Sequence, residues 1–213
     1  IIYFALTAMF QRNIKKMMAF ASASAMGFVT LSFAASIIES TGSEYSVKLI
    51  EASGGMFQIV AHGLIMALVF SALYYISRNA RTDSVYGLGG IYREAPMLAS
   101  FSLIGFLASL GLPGFAGFIG EFSIVVGVFQ AISWYIFFVI FGMIITASYH
   151  IWTAQRSLYG PYNENLGFIR DVRAGEFLIL IFLVLVIFLL GIYPNLIFHN
   201  LVNYTSNVFK VVS

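Results

Sequence analysis

Residues 98–129, LASFSLIGFLASLGLPGFAGFIGEFSIVVGVF, form the apolar run that decides the fold of this chain. A straight α-helix of that length would measure about 48 Å, whereas the hydrocarbon core of a bilayer is about 30 Å thick. Residues 111–117, in the middle of the run, include four residues of types that interrupt helices: Gly111, Pro113, Gly114 and Gly117. The run is therefore either two complete spans joined by this motif or one span that the motif breaks.

The composition around this run places the whole chain in a membrane. Of 213 residues, 60% are hydrophobic and 9% are charged, and the mean hydropathy is +0.92. Soluble domains carry about a quarter charged residues, and a water-soluble protein of this size could not bury so much apolar surface. The composition therefore predicts an all-α, polytopic bundle of transmembrane helices in a lipid bilayer. The net charge of +2 does not indicate nucleic-acid binding.

Other apolar stretches are also long enough to cross the bilayer, which takes about 20 residues. Working outward from the broken run, the predicted spans are 134–156, 174–193, 56–76 and 17–38. Residues 1–10 are predicted to be the last turns of another membrane helix. They are not a signal peptide, because a signal peptide has a basic region before its apolar stretch and a cleavage site after it, and neither is present here. We therefore expect the chain to be the C-terminal part of a longer protein.

The distribution of positive charge chooses between the two interpretations of 98–129. Cytoplasmic loops collect Lys and Arg. Nine of the eleven basic residues lie in the first loop or in or beside loops 77–97 and 157–173: Arg12, Lys15, Lys16, Arg78, Arg81, Arg93, Arg156, Arg170 and Arg173. Loop 39–55, by contrast, has one lysine among three glutamates. The three basic loops share one side only if 98–129 is a single discontinuous span, with its break inside the protein.

Glu121 is the acidic residue that this arrangement places at membrane depth, since the other eight lie in predicted loops or at helix ends. Ionisable side chains inside a membrane are costly and usually functional. A carboxyl held away from water beside a helix break can change its protonation state, which proton transfer requires. We therefore predict that Glu121 carries protons. The alternative is a buried carboxylate that only pairs with a neighbouring helix.

His62 is the second candidate for a proton relay. It lies inside the predicted span 56–76 and is followed by Gly63, which lets another helix or water approach. A neutral imidazole both donates and accepts a hydrogen bond, so it can pass a proton. A histidine that only packs is an equal alternative. The three histidines are far apart and cysteine is absent, so the sequence predicts no metal site and no iron–sulfur cluster.

The remaining polar residues are given structural roles. His150 follows Tyr149 and precedes Trp152, and aromatic residues of these types favour the membrane interface, so an interfacial histidine is predicted. His199 is placed in a C-terminal tail without a chemical role. Four hydroxyl residues of the span 17–38 could bond across helices or hold water, but ordinary packing of small residues is the favoured prediction for them: Ser22, Ser24, Thr30 and Ser32.

Seven short motifs occur in a fixed order along the chain. They are Gln11–Phe20 (QRNIKKMMAF), Met26–Phe28 (MGF), Ala61–Leu64 (AHGL), Gly89–Ile91 (GGI), Gly111–Gly114 (GLPG), Gly117–Phe122 (GFIGEF) and Gly191–Pro194 (GIYP). In this order and at these separations they resemble the antiporter-like subunits of respiratory complex I, nearest to the subunit M or chain 4 type. The same superfamily includes membrane subunits of energy-converting hydrogenases and of multisubunit sodium/proton antiporters.

The resemblance implies a bundle with two discontinuous helices, of which 98–129 would be the second. It implies that Glu121 lies in the break of that helix, at the exit end of a proton path, and that His62 lies on a central polar axis. No bound cofactor is expected in such a subunit, because the redox centres sit in partner subunits. The implied surroundings are the cell membrane or the mitochondrial inner membrane, with protons, water and the other membrane subunits of a respiratory complex.

The chain also departs from the pattern of this family. Ala25 stands where the family often has a histidine, so water or a serine would have to replace one relay position. Asn13 replaces a common aspartate. The glutamate–lysine pair of the family, and its first broken helix, would lie before Ile1.

The resulting hypothesis is a proton-translocating subunit of a quinone-reducing respiratory complex, with no redox chemistry in this chain itself. Two alternatives keep the membrane fold. One is a subunit of a multisubunit cation/proton antiporter or of an energy-converting hydrogenase. The other is a structural membrane subunit that moves no protons.

Overall fold

A computed structural model describes residues 1–37, 45–131 and 133–212 of the chain, and the described residues confirm the all-α prediction. They form nine α-helices: α1 (Ile2–Met9), α2 (Ile14–Ile37), α3 (Tyr45–Ala80), α4 (Ile91–Glu94), α5 (Pro96–Ser109), α6 (Ala116–Ala131), α7 (Ile136–Thr153), α8 (Ala174–Ile192) and α9 (Asn195–Val212). A 3-10 turn at Ser133–Tyr135 precedes α7, and a π-helical turn at Ala154–Leu158 continues it.

Four stretches of the described residues are long and apolar enough to cross a membrane: Ile14–Ile37, Lys48–Ala80, Ser133–Leu158 and Ala174–Ile192. Outward-facing side chains of α8 are large and apolar, among them Leu178, Phe182 and Leu185. Such a surface is compatible with lipid and not with water. The prediction of a multi-pass membrane protein is therefore confirmed.

The start of α3 differs from the sequence prediction. The helix begins at Tyr45, so the part of the predicted loop 39–55 that the structure describes is helical. The charges of this stretch suggested a loop, but the side chain of Glu51 turns into the bundle instead of toward water. Residue 38, at the end of the predicted span 17–38, and residues 39–44 lie outside the described residues.

Helix α3 is the central element of the bundle. It is 36 residues long, which corresponds to about 54 Å of α-helix. Large side chains along it are completely buried, including Phe57, Ile65, Leu68 and Leu73. Helices α2, α5, α6, α8 and α9 all pack against it. One side of α3 is therefore covered by protein along most of its length, while Ile59, Val60 and Tyr74 on the other side stay exposed.

Contacts with α3 show that α5 and α6 run in the same direction. In order along the chain, the contacts are Gly105 with Val69, Gly117 with Ile65, Gly120 with Gln58 and Gly127 with Glu51. The positions on α3 fall steadily, so the chain continues across the membrane and does not turn back. With 14 and 16 residues, the two helices measure about 21 and 24 Å, and neither spans a bilayer alone. They are one discontinuous span.

Three loops meet at one end of the bundle, which we call the basic face: residues 10–13, 81–95 and 159–173. The backbone N–H of Val85 donates to the carbonyl oxygen of Arg12 at 2.8 Å. The side chain of Asn163 donates to the carbonyl oxygen of Gly87, also at 2.8 Å. The basic loops therefore lie on the same side, as the interpretation of 98–129 as one span requires.

Asp171 ties the loop before α8 to the start of α5. Its carboxylate accepts hydrogen bonds from the backbone N–H groups of Met97 at 3.0 Å and Leu98 at 2.9 Å. These N–H groups belong to the first turn of α5 and have no partner within the helix. A carboxylate at a helix N-terminus also interacts favourably with the helix dipole. The start of α5 is thus fixed to the start of α8.

The prediction of a C-terminal tail is wrong, because residues 195–212 form α9. Ser53 on α3 donates a hydrogen bond to the hydroxyl oxygen of Thr205 at 3.2 Å, and the rings of Phe57 and Phe198 lie 5.8 Å apart. His199 points away from this contact and is exposed. Polar residues on the outer side of α9 gave it the composition of a tail, while its inner side packs on α3.

Candidate functional site

The break between α5 and α6 occupies residues 110–115. Gly111 and Gly114 have φ angles of +73° and +101°, a region that side-chain-bearing residues rarely adopt. Pro113 has no backbone N–H that would need a partner in lipid. Gly117, predicted as part of the break, lies instead in the first turn of α6, where it packs against Ile65.

Helix α8 covers the irregular backbone of the break. Gly191 lies directly against the backbone of Gly114 and Phe115, where a Cβ atom would overlap with them. The rings of Phe115 and Phe188 pack with their centroids 4.5 Å apart. Non-helical backbone at membrane depth is tolerated when protein surrounds it or when it lines a cavity. Packing against α8 therefore stabilises the irregular backbone of the break.

Glu121 lies in the second turn of α6 and is 8% exposed. Its carboxyl group folds back against Gly111 of the break, whose missing side chain leaves the space it occupies. Nε2 of Gln58, on α3, donates a hydrogen bond to Oε1 of Glu121 at 3.3 Å. Gly120 allows this approach, because a Cβ atom there would lie 2.9 Å from the Cα atom of Gln58. Glu121 is thus held inside the protein beside the break, as predicted.

His62 lies one helical turn after Gln58 on α3, about 6 Å farther along the axis. It is 7% exposed, and its Nε2 atom is 2.8 Å from the hydroxyl oxygen of Ser22 on α2. Gln58 and His62 therefore lie on the same side of α3, and the bonds of Glu121 and His62 go to Gln58 and Ser22 and not to each other. Ser22 makes a hydrogen bond between helices, so the prediction that it only packs is wrong.

The prediction of an interfacial position for His150 is also wrong. The side chain is 1% exposed and stacks on Tyr149 with a centroid distance of 4.6 Å. Its Nδ1 atom lies 2.8 Å from the carbonyl oxygen of Thr146. Ile151 and Trp152 are exposed, because they lie on the other side of α7. The aromatic neighbours in the sequence therefore gave no information about the direction in which His150 points.

Two residues of the buried polar region were not predicted. Gln58 is uncharged, so a search for charge at membrane depth passes over it, although its spacing of four residues from His62 puts both on one side of a helix. Glu51 was assigned to a loop, but it is 1% exposed and lies against Gly127 of α6. We call the line formed by His62, Gln58 and Glu51 on α3, together with Glu121 on α6, the polar seam.

The ion pairs found among the described residues lie away from the polar seam. The ion pairs found among them join Lys15 to Asp83 at 2.9 Å and Arg93 to Glu94 at 3.9 Å, both at the basic face. The neighbour that bonds Glu121 is instead the neutral amide of Gln58. This arrangement does not fix Glu121 as a permanent anion by pairing it with a cation.

Comparisons with known proteins agree with the helical membrane bundle described above. Residues 1–146 match the family described as "NADH:quinone oxidoreductase/Mrp antiporter, TM". The F(420)H(2) dehydrogenase subunit M of Methanosarcina mazei is 34% identical over all of this chain and 41% of its own length. The NADH-quinone oxidoreductase subunit M of Rhodobacter capsulatus is 32% identical over 92% of this chain and 36% of its own length.

A solved structure shows the same fold. A chain of respiratory complex I from Thermus thermophilus with bound NADH superimposes with a TM-score of 0.84 at 25% sequence identity. The match covers 97% of this chain and 42% of that one. This chain therefore spans about two fifths of the length of the relatives that it matches.

Proposed function

The chain belongs to the NADH:quinone oxidoreductase/Mrp antiporter membrane family, and from this premise we propose that it is a proton-translocating membrane subunit of a quinone-reducing respiratory complex. The observation that supports this most is Glu121, a buried carboxyl group beside a Gly/Pro break that, among the described residues, bonds an amide and no cation. A group of this kind can gain and lose a proton without dismantling an ion pair.

Gln58 suits both protonation states of Glu121. As observed, its Nε2 atom donates to a carboxylate oxygen. Its Oε1 atom is buried and has no donor among the described residues. Since a protonated carboxyl group is a donor, rotation of the Gln58 amide would let Oε1 accept from it. The pair therefore keeps a hydrogen bond before and after Glu121 takes up a proton.

His62 and Ser22 extend the proposed path on the other side of Gln58. The imidazole and the hydroxyl group are 2.8 Å apart, and each can donate or accept. Ser22 lies one turn before Ala25 on α2, where the family often has a histidine. A serine in contact with His62 is thus available to replace the lost relay position, as the sequence comparison required.

The proposed partners are the other membrane subunits of the complex. The relatives are named for two different electron donors, F(420)H(2) and NADH. A subunit shared by such complexes has a role that does not depend on the donor. We therefore assign the redox centres to partner subunits and proton movement to the polar seam.

The test uses the complete complex that contains this chain, reconstituted in lipid vesicles and driven by its electron donor. Glu121→Gln keeps the size and hydrogen bonding of the side chain but cannot carry a proton. We expect it to lower the number of protons moved per electron pair several-fold while the complex still assembles. Glu164→Gln, at an exposed position on the basic face, is the matched control and should pump normally.

Two results would contradict the proposal. Unchanged pumping in Glu121→Gln would support a structural subunit. A sodium gradient formed without any electron donor would support the cation/proton antiporter, the other function covered by the family description.

A further inference from the structure

Glu51 is a buried acidic residue that the proposed path has not yet used. Only 1% of it is exposed. Within residues 1–37, 45–131 and 133–212, neither oxygen of its carboxyl group has a hydrogen-bond partner. Buried polar groups are almost always hydrogen-bonded, and an unpaired buried carboxylate is strongly unfavourable. A purely structural acid would be expected to bond a neighbouring helix, and this one does not.

The position of Glu51 repeats that of Gln58. The two residues are seven apart on α3, which is two helical turns, so they lie on the same side of the helix. On α6, Gly120 and Gly127 are also seven apart. Gly120 accommodates Gln58, and Gly127 accommodates Glu51, whose Cδ atom lies 2.8 Å from the place of a Cβ atom on Gly127. One antiparallel helix contact therefore aligns Glu51 with the Gln58–Glu121 pair.

The backbone around Glu51 is fixed while its carboxyl group stays free. Ser32 on α2 donates its hydroxyl hydrogen to the carbonyl oxygen of Glu51 at 2.5 Å. Ser53, two residues later, bonds Thr205 of α9. Helices α2 and α9 thus hold this part of α3 in place and leave both carboxyl oxygens of Glu51 available to a proton or to water.

Glu51 also lies on the correct side of Glu121 for an exit. Helix α3 ends at the basic face and begins, at Tyr45, at the opposite one. Going from Gln58 toward that beginning, the seam passes Glu51 and then Lys48, one turn farther on. The side chain of Lys48 is partly exposed. Glu51 is therefore the last buried acid of the described seam before the face opposite the basic loops.

We infer that Glu51 is a second proton-carrying carboxyl group, which receives protons released by Glu121 and delivers them toward the face where α3 begins. This inference rests on the proposed function. Gln58 and Glu51 are about 10 Å apart along α3, so water must bridge them. In the step, the carboxyl group of Glu121 gives one proton to the first water of a bridging chain, each water passes one proton to the next, and the last water gives one to the carboxylate of Glu51. No bond to carbon changes, and no electron is transferred.

The experiment compares Glu51→Gln, Glu51→Asp and Glu121→Gln in the reconstituted complete complex, with Glu164→Gln as the exposed control. We expect Glu51→Gln to lower the protons moved per electron pair several-fold, and Glu51→Asp, which keeps a titratable group, to retain most of the pumping. Normal pumping in Glu51→Gln together with reduced pumping in Glu121→Gln would overturn the role of Glu51 and leave the proposed function standing. Normal pumping in both variants would overturn both proposals.

A second measurement covers the case in which Glu51→Gln does not assemble. Infrared difference spectra of the oxidised and reduced complex report the carbonyl stretch of protonated carboxyl groups. If Glu51 changes protonation during turnover, one such band should shift between the wild type and Glu51→Asp. Identical spectra for the two proteins would overturn the inference.

Discussion

The two halves of the broken span pack against the same helix, α3, but they differ in what they place there. On α5, Gly105 allows close contact with the aliphatic side chains of Val69 and Leu68. On α6, two glycines allow equally close contact with polar side chains: Gly120 with Gln58 and Gly127 with Glu51. The α5 half of the contact is therefore an ordinary apolar core, and the α6 half contains every ionisable residue of the polar seam except His62.

This difference shows that a glycine sets how closely two helices approach, while the residue that faces the glycine decides whether the contact is apolar or polar. Small residues let membrane helices approach closely whatever they face. The break at residues 110–115 separates the two kinds of contact, so one span can combine a rigid apolar half with a half that contains titratable groups. Substitutions on the two halves should consequently have different effects on stability and on proton movement.

Gly120→Ala should have the largest effect. The added methyl group would lie 2.9 Å from the Cα atom of Gln58, and backbone at that distance can yield only if α3 and α6 move apart. Overpacking of this kind costs about 1–3 kcal/mol, and the hydrogen bond to Glu121 would be lost with it. We expect a lower melting temperature of the purified complex and a several-fold loss of pumping. Gly63→Ala is the control, because no atom lies within 4 Å of the added methyl group.

Gln58→Leu should have the next largest effect. It preserves approximate volume but removes the donor to Oε1 of Glu121. A hydrogen bond to a charged group contributes about 1.5–3 kcal/mol. We expect its loss to lower pumping several-fold, with little change in assembly. Gln155→Leu, at an exposed position, is the matched control. Normal proton transport in Gln58→Leu would show that the amide only fills space.

Gly105→Ala should change stability only slightly and leave pumping intact. The methyl group would lie 2.9 Å from Cγ2 of Val69, and because a valine in a helix keeps its χ1 rotamer, a small shift between α3 and α5 must relieve the contact. The strain is partly offset by the better helix propensity of alanine, about 1 kcal/mol over glycine. Melting curves and pumping assays on the same preparation test this. A loss of pumping as large as that of Gly120→Ala would remove the distinction between the two halves.

Lys15→Met should have the smallest effect. Lys15 is paired with Asp83 at 2.9 Å, but both side chains are about one third exposed, at 35% and 36%. Exposed ion pairs contribute about 0–1 kcal/mol. We expect a small fall in melting temperature that disappears at high salt, and no change in pumping. Lys16→Met, in the next and more exposed position, should give no fall at all.

The sequence was sufficient for the parts of the fold that depend on length and charge. The run 98–129 is too long for one straight span, and the basic loops required its two pieces to run the same way. Glu121 stood out because few charges occur at membrane depth. Those arguments depend on the thickness of the bilayer and on the energy of burying charge, which are the same in every membrane protein.

The sequence was not sufficient where a polar residue faces protein in place of water. Glu51 and the polar side of α9 suggested a loop and a tail, because polar residues in a local stretch look alike whether they point into a bundle or out of it. The position of Gly127 on another helix is what makes room for Glu51 inside, and the local sequence around Glu51 does not reveal it. His150 was misplaced for the same reason, since its direction depends on the packing of α7.

The bond between Asp171 and the first turn of α5 has a mechanical consequence. It joins two helix starts at the basic face, so α5 and α8 behave as a single fixed support there. A change in separation at the break would therefore act between this support and α6, which α2 and α3 hold on its other side. Glu121 lies on the α6 side, seven residues after Gly114, while its carboxyl group packs against Gly111 on the α5 side, so its surroundings depend directly on that separation.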